Sequence, residues 1–442
     1  MTQTLLIENN VKIENFYLLN LSMWLELKVI TKNTLESALA HIGTESKNIN
    51  LIICRCQIDG KNIIPQVQEK LKSLGLTIPI IVVGPGPSTE NIFGYIPNSL
   101  QIKPLIQNCA KALNITAKQM SEKPVPDFYP IPIHYFKVTK VAICQLHTQD
   151  LDDKNKYNIK IKKNAPIDEA QINRLIQEGF SHLYVDKLDR LELAHFITSE
   201  LISTLAPTEI SADEEVTMAE RSLELLSKKL LTMGVNEDTI ALATKNLDGM
   251  KKNYKKNPKL SGLLEKLLSN KSSYIYAHTQ IMIYLCLHII KNIDWGNQEQ
   301  EEKISFIAFF HDIALEKDEH AKIKSNAELK AAPFSEQEKQ LIDKHAQLAA
   351  EIISKIPRTP IGADQIIRQH HGNLNGVGFS EHFGNNVTPV SMVLIVAEEM
   401  TRMLLNAPEN KLNKTQIVSE LRQTFSTNRF KKIIDTVETV IV

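Results

Sequence analysis

His311 and Asp312 stand side by side at the end of an apolar helical run, Ile304 to Phe310, and further histidines follow on separate helical segments. Any fold of this chain must place those rings either in solvent or in a core. Burying one imidazole is tolerable where a carbonyl or a water satisfies it. Burying several without a shared purpose is costly, because each brings unmet polar atoms out of water.

Helical periodicity points them inward. In SYIYAHTQIMIYLCLHII, His278 shares a stripe with Tyr274, Ile281 and Leu285. His311 shares one with Ile304, Ile307 and Ala308. His345 lies in FSEQEKQLIDKHAQLAAEII, where Ser335 and Glu338 form a capping box and Leu341, Leu348 and Ile352 are expected on its face. His370 and His371 end a helix that starts near Ala363 and precede a glycine-rich loop, GNLNGVGF. Glu398 sits in VSMVLIVAEEM, one turn past Leu394 and Ile395. A single inward histidine reads most simply as a satisfied core ring. Five of them with a His-Asp pair in one helical region read as a metal centre, since imidazole and carboxylate converging from several helices hold divalent ions. His288 lies off the inward stripe and His320 lies in a charged segment, EKDEHAKIK, so both are expected in solvent.

The rest of the composition narrows the class. The chain has 442 residues, enough for several domains, and 51 basic against 51 acidic residues. This balance offers no support for DNA binding or a membrane surface. Cysteines at 54, 56, 109, 144 and 286 make no disulfide framework and no CxxC pair. The N-terminus, MTQTLLIENN, shows no basic segment leading into an apolar one, and the apolar stretch Ile281 to Ile290 is too short to span a bilayer. A cytoplasmic protein without membrane insertion is expected.

Three regions follow. Residues 1–115 alternate strand-like runs (Thr4–Ile7, Leu51–Cys54, Ile78–Val83) with amphipathic stretches such as Ile64–Leu74, which predicts a doubly wound α/β domain. Residues 116–130 are rich in Pro, Lys and Ser and read as a linker. Residues 131–205 read as a small α+β module, with strands at Val138–Gln145, Tyr157–Ile161 and Ser181–Val185 and a helix at Asp168–Glu178. From 206 to 442 the chain reads as an all-α bundle, opening with helices at Glu214–Leu231, Glu237–Asn253 and Lys259–Leu268.

The first region resembles the receiver domain of response regulators. At the positions where that family carries its acidic pair, its phosphoacceptor Asp and its Ser or Thr, this chain has Glu8-Asn9-Asn10, Arg55 and Gly84, with Asp59 the only nearby acid; Lys103-Pro104 matches. The resemblance therefore implies a pseudo-receiver used for homodimerisation or docking of a signalling partner. The middle module resembles small α+β units that precede some bacterial phosphodiesterase domains. The helical region resembles the HD-GYP branch of the HD superfamily of metal-dependent phosphohydrolases. The matching elements are the first helix with His278, FFHDIA with His311-Asp312, the helix with His345, the HHxxxxGxGF loop with His370-His371, and Glu398 at a family Asp. By that resemblance Asp312 bridges two divalent ions, iron or manganese. His278, His311 and Glu398 complete one, and His345, His370 and His371 the other. The substrate is cyclic di-GMP or a related cyclic dinucleotide, and Asp312 and His311 are the catalytic pair.

The chain departs from this pattern where substrate is handled. HDIGK reads HDIAL, with Leu315 for the Lys and Lys317 two residues on. HHE reads HHG, with Gly372, and the GYP tripeptide reads Gly378-Phe379-Ser380. The Asp before the first loop glycine is Asn375, and the acid used by three-metal members is Tyr274. The Arg-rich stretch that the family carries past the last ligand has no clear counterpart; NAPENKLNK offers only Lys411 and Lys414. Lys317, Asn375, Gly376, Gly378, Phe379 and His382 remain as expected substrate contacts. Two readings follow: a divergent cyclic dinucleotide phosphodiesterase, or a weak or inactive nucleotide receptor or protein-interaction scaffold built on the same metal-binding frame.

Overall fold

Apolar β-branched runs separated by amphipathic stretches build a five-stranded parallel sheet in the first part of the chain. A computed structural model describes residues 3–86, 90–116, 126–150, 153–205, 211–380, 387–406 and 414–440. The order of elements is β1 (Gln3–Ile7), α1 (Val11–Leu25), β2 (Val29–Lys32), α2 (Leu35–Glu45), β3 (Ile49–Arg55), α3 (Ile64–Ser73), β4 (Ile80–Val83), β5 (Gly94–Ile96) and α4 (Ile102–Ala112). The strands are arranged 2-1-3-4-5, a doubly wound order whose ligand crevices lie beyond the carboxyl ends of the strands. The strands β1, β3 and β4 are buried on both faces, as the apolar runs require. The edge strands β2 and β5 are short and half-buried and carry no comparable apolar run.

At the carboxyl edge, Arg55 ends β3 and reaches back to Glu8 at the end of β1, 3.3 Å between Nη1 and Oε2. Glu8 also accepts from the Asn10 backbone at 2.9 Å. Its carboxyl is fully enclosed. Burial raises its pKa, with the Arg55 charge acting against that rise. An internal ion pair thus stands where a phosphoacceptor was sought. Beside it opens a cavity of about 600 Å³ lined by Asn9, Asn10, Lys12, Arg55, Asp59 and Pro85 among others.

The middle segment forms a four-stranded sheet, order β8-β7-β9-β6, from β6 (Phe128–Pro132), β7 (Leu146–Gln149), β8 (Tyr157–Ile161) and β9 (His182–Asp186). Helix α5 (Glu169–Gln177) is capped by Asp168, and α6 (Arg190–Ser203) follows the last strand. Two expectations are corrected. Residues 128–130, assigned to the linker, are already strand: β6 pairs along its length with β9, and its two prolines are tolerated because it lies at the sheet edge. Residues 117–125 of that linker lie outside the described residues. Val138–Gln145 is not a strand. Val141 to Cys144 are buried, but the stretch meets the turn around Pro166 in a single bridge, and Pro166 has no N–H to extend a ladder.

The remainder is helical: α7 (Ala212–Met233), α8 (Glu237–Lys256), α9 (Leu260–Ser269), α10 (Tyr274–Asn292), α11 (Gln298–Phe310), α12 (Asp318–Ala321), α13 (Asn326–Ala331), α14 (Glu336–Ile353), α15 (Ala363–Arg368), α16 (Pro389–Asn406), α17 (Lys414–Thr424) and α18 (Asn428–Val437). The chain divides into two compact units, 1–221 and 222–442, so the division falls inside α7 rather than near 205. Within the second unit α10 is central. Every residue from Tyr276 to Ile290 except His288 is buried, which is why this helix is apolar almost all round. Among the described residues no helix is long and apolar enough to cross a membrane.

The Glu8–Arg55 pair gives a direct test. Arg55→Met leaves an enclosed carboxylate without its cation and is expected to lower unfolding free energy by about 3 kcal/mol. Arg55→Met/Glu8→Gln should recover most of that loss. Equal stability of wild type and Arg55→Met in urea unfolding would show that the pair contributes nothing.

Candidate metal centre

Five helical segments each deliver one or two ligands because each carries them on the side that packs inward. His278 lies in the second turn of α10. His311 and Asp312 follow the last turn of α11, behind Ile304, Ile307 and Ala308, all fully buried. His345 lies midway along α14, whose capping box of Ser335 and Glu338 is formed as expected. Its buried stripe runs through Ile342, Ala346, Ala349, Ala350 and Ile353. Leu341, Leu348 and Ile352, expected on that stripe, are half-buried, one helical position off the true face. His370 and His371 follow the short α15, and Glu398 projects from α16.

The ligand atoms converge in two groups that share Asp312. Its Oδ2 lies 3.4 Å from His311 Nε2 and 3.7 Å from His278 Nε2. Its Oδ1 lies 3.3 Å from His345 Nε2 and 3.5 Å from His370 Nε2. His371 Nε2 is 3.0 Å from His345 Nε2. Glu398 Oε2 is 3.0 Å from His278 Nε2 and 3.5 Å from His311 Nε2. Within each group, Asp312 with His345, His370 and His371, or Asp312 with His278 and His311, the candidate donor atoms lie within 4.8 Å of one another. All are buried except His371, which is half-buried.

The tautomers are set by backbone. Nδ1 of His311, His345 and His370 meets the carbonyl three residues earlier, that of Ala308 at 2.9 Å, Ile342 at 2.5 Å and Ile367 at 2.7 Å. A carbonyl only accepts, so each Nδ1 carries the proton and each Nε2 presents a lone pair. Lone pairs of His345 and His370 therefore face each other at 3.2 Å. Asp312 Oδ1 and Glu398 Oε2 are buried without a hydrogen-bond donor. Acceptors crowded in this way repel unless a cation lies among them. Five imidazoles and two carboxylates, with no thiolate, suit zinc, iron or manganese. The residues fit divalent metal.

Electrostatics agree. Burial would raise the Asp312 carboxyl, but the adjacent histidines, His311 first, outweigh it and hold it well below the usual carboxylate range. Burial opposes ionisation of Glu398 too, and the charges of His278 and Lys324 overcome it. Burial, then the neighbouring His370 and His345, push His371 far down, so it stays neutral and able to bind metal.

The expected substrate contacts fare unevenly. Lys317 is mostly exposed and pairs with Glu338, 2.7 Å. Asn375 is exposed and accepts from the Val377 backbone. Gly376 and Gly378 both have positive φ, 74° and 68°. A Cβ on Gly378 would come within 3.2 Å of Asn326 Oδ1 and 3.3 Å of Asp343 Oδ1, so glycine is needed there for both conformation and space. Phe379 is buried, its backbone clasped by Asn326 on both N–H and C=O. His382 and Lys411 lie outside the described residues. His320, expected in solvent, is instead buried, with its ring edge-on to Phe334 and Nε2 3.4 Å from Glu338. His288 is half-buried and meets Thr439 at 2.9 Å.

Three positions at which the sequence departs from its HD-GYP resemblance meet in one place. Leu315 and Phe379 belong to a single apolar cluster with Ala321, Leu329 and Ile342, and Tyr274 packs against it. Lys324, which sequence reasoning passed over, points at the centre: its Nζ donates to Glu398 Oε1 at 2.6 Å. It stands in no motif and on no helical stripe, so no periodic signal marks it.

Residues 275–420 match the family described as the HD domain, a span that contains every ligand named above. No curated protein sequence matches the chain. Among solved structures, Bd1817, an HDG"Y"P protein from Bdellovibrio bacteriovorus, aligns with 71% of this chain and 98% of its own at 13% identity. The TM-score is 0.35, an overlap too loose to bear on the fold.

Two outcomes are expected. Mn²⁺ at about a thousand times its dissociation constant should stabilise the protein by about 4 kcal/mol, raising the thermal midpoint by roughly 10 °C. Asp312→Ala should remove the shift, and a wild-type midpoint insensitive to Mn²⁺ would contradict the centre. Leu315→Lys should destabilise by about 4 kcal/mol, the cost of depressing a lysine by about three pH units in an apolar cluster. A denaturation midpoint unchanged by that substitution would show that the cluster admits charge.

Proposed function

We propose that this chain is a divergent HD-GYP-type phosphodiesterase that hydrolyses cyclic di-GMP or a related cyclic dinucleotide with two divalent ions, iron or manganese. One observation carries the reading: the two oxygens of Asp312 face different histidine groups, as a bridging carboxylate must. In this reading Asp312, His278, His311 and Glu398 hold one ion, and Asp312, His345, His370 and His371 the other. Bound ions would supply Lewis acidity toward a phosphate and activate water for in-line attack.

The chain's own residues supply the setting. Backbone carbonyls hold three rings so that Nε2 faces inward, which removes the need to reorganise them on loading. Burial keeps bulk water from competing. Half-buried His371, beside the glycine loop, marks the side from which a phosphate would enter.

A second reading is favoured by the apolar cluster of Leu315 and Phe379. It leaves no lysine or tyrosine hydroxyl at the two family positions, as in a weak or inactive receptor or scaffold. In either case the 1–115 region, with its Glu8–Arg55 pair, serves homodimerisation or partner docking rather than phosphoryl transfer.

Hydrolysis of cyclic di-GMP and mixed cyclic GMP-AMP by protein purified without oxygen and loaded with Fe²⁺ or Mn²⁺ separates the two. The enzyme reading expects metal-dependent production of a linear dinucleotide that falls to background in Asp312→Ala. Metal-loaded wild type that binds these nucleotides but leaves them intact would establish the receptor.

A further inference from the structure

The two oxygens of Glu398 have different partners. Oε2 faces the Nε2 atoms of His278 and His311 and has no hydrogen-bond donor. Oε1 accepts from Lys324 Nζ at 2.6 Å, with the two side chains 16% and 8% exposed. A lysine this enclosed is not a surface side chain folded over by chance.

Its backbone is built into the second unit. Lys324 lies between α12 and α13. Asp318, at the start of α12, accepts from the backbone N–H groups of Tyr274 and Ile275, at 2.8 and 3.1 Å, and so caps the helix that carries His278. Glu328 accepts from the Lys324 backbone N–H at 2.8 Å. Asn326 clasps Phe379. Ala321 and Leu329 sit in the apolar cluster. These contacts fix the segment on both sides of Lys324 and leave its side chain one direction, toward Glu398.

We propose that Lys324 is a positioning residue of the metal centre. It holds Glu398 by Oε1 so that only Oε2 faces an ion, and its own charge competes with that ion for the carboxylate. This rests on the two-ion reading above. The physical consequence has a definite sign. A charge-assisted hydrogen bond withdraws one oxygen from coordination, so Glu398 binds through a single atom. A fixed cation in a poorly solvated site also disfavours a second cation nearby. The position formed by His278, His311, Asp312 and Glu398 is therefore the weaker of the two and the one that exchanges its ion. The position formed by His345, His370 and His371 does not include Glu398, so it feels the Lys324 charge only through space, at His371 and the shared Asp312, and is affected less.

Calorimetric titration of the metal-free full-length protein with Mn²⁺ tests this. Wild type should show two binding steps, with Glu398→Ala identifying the weaker. Lys324→Met should tighten that step by about tenfold, through removal of a fixed cation beside the ion, and change the stronger step by less. Lys324→Arg should behave as wild type. Lys324→Gln, which can still donate to Glu398 without a charge, should also tighten the step, and it is the variant to read if the methionine protein does not fold. A weaker step that is unchanged or loosened in the neutral variants would overturn the proposal while leaving the metal centre standing. Absence of Mn²⁺ binding by wild type would overturn both.

Discussion

Everything in the second unit turns on keeping lone pairs that repel one another within about 3 to 4 Å. The helices do this with their own backbones. His311, His345 and His370 each tie Nδ1 to the carbonyl three residues before, so the turn that carries the ring also sets its tautomer and its direction. His278 lacks this device: its Nδ1 is buried without a partner. Its place is held by Glu398 and by the stacked Tyr274 ring, 5.7 Å away, so the ligands do not all have the same support.

Around this centre the helices divide the work. The helix α10 is buried on all sides and supplies the frame, α16 is buried all round from Ser391 to Glu398, and α14 buries one face and leaves the other half-buried or exposed. The segment 318–331 closes the side that Leu315, Phe379 and Tyr274 make apolar. A lysine at 315 and a tyrosine at 379 would belong to a polar wall. Here the same positions form a hydrophobic cluster, and the positive charge enters instead from Lys324.

Much of this could be read from the chain. His278, His311 and Glu398 were legible because a helix repeats every 3.6 residues and their neighbours on the stripe are apolar. Strands β1, β3 and β4 were legible as runs buried on both faces, and β2 and β5 were not, being short edge strands. Lys324 and His320 were illegible for a common reason. Both lie in a charged stretch whose composition reads as solvated, and only the tertiary fold tucks it beneath the apolar cluster. Val138–Gln145 failed differently: it is rich in β-branched residues and buried from Val141 to Cys144, but its neighbour across the gap is a proline turn rather than a strand.

The cluster of Leu315 and Phe379 also limits where charge can be placed by mutation. Because the wall beside the candidate metal centre is apolar on several sides, a lysine put at 315 would arrive without water or a partner. Charge beside Glu398 is tuned at less cost at Lys324, whose ammonium already reaches the carboxylate from a segment of ordinary polar composition.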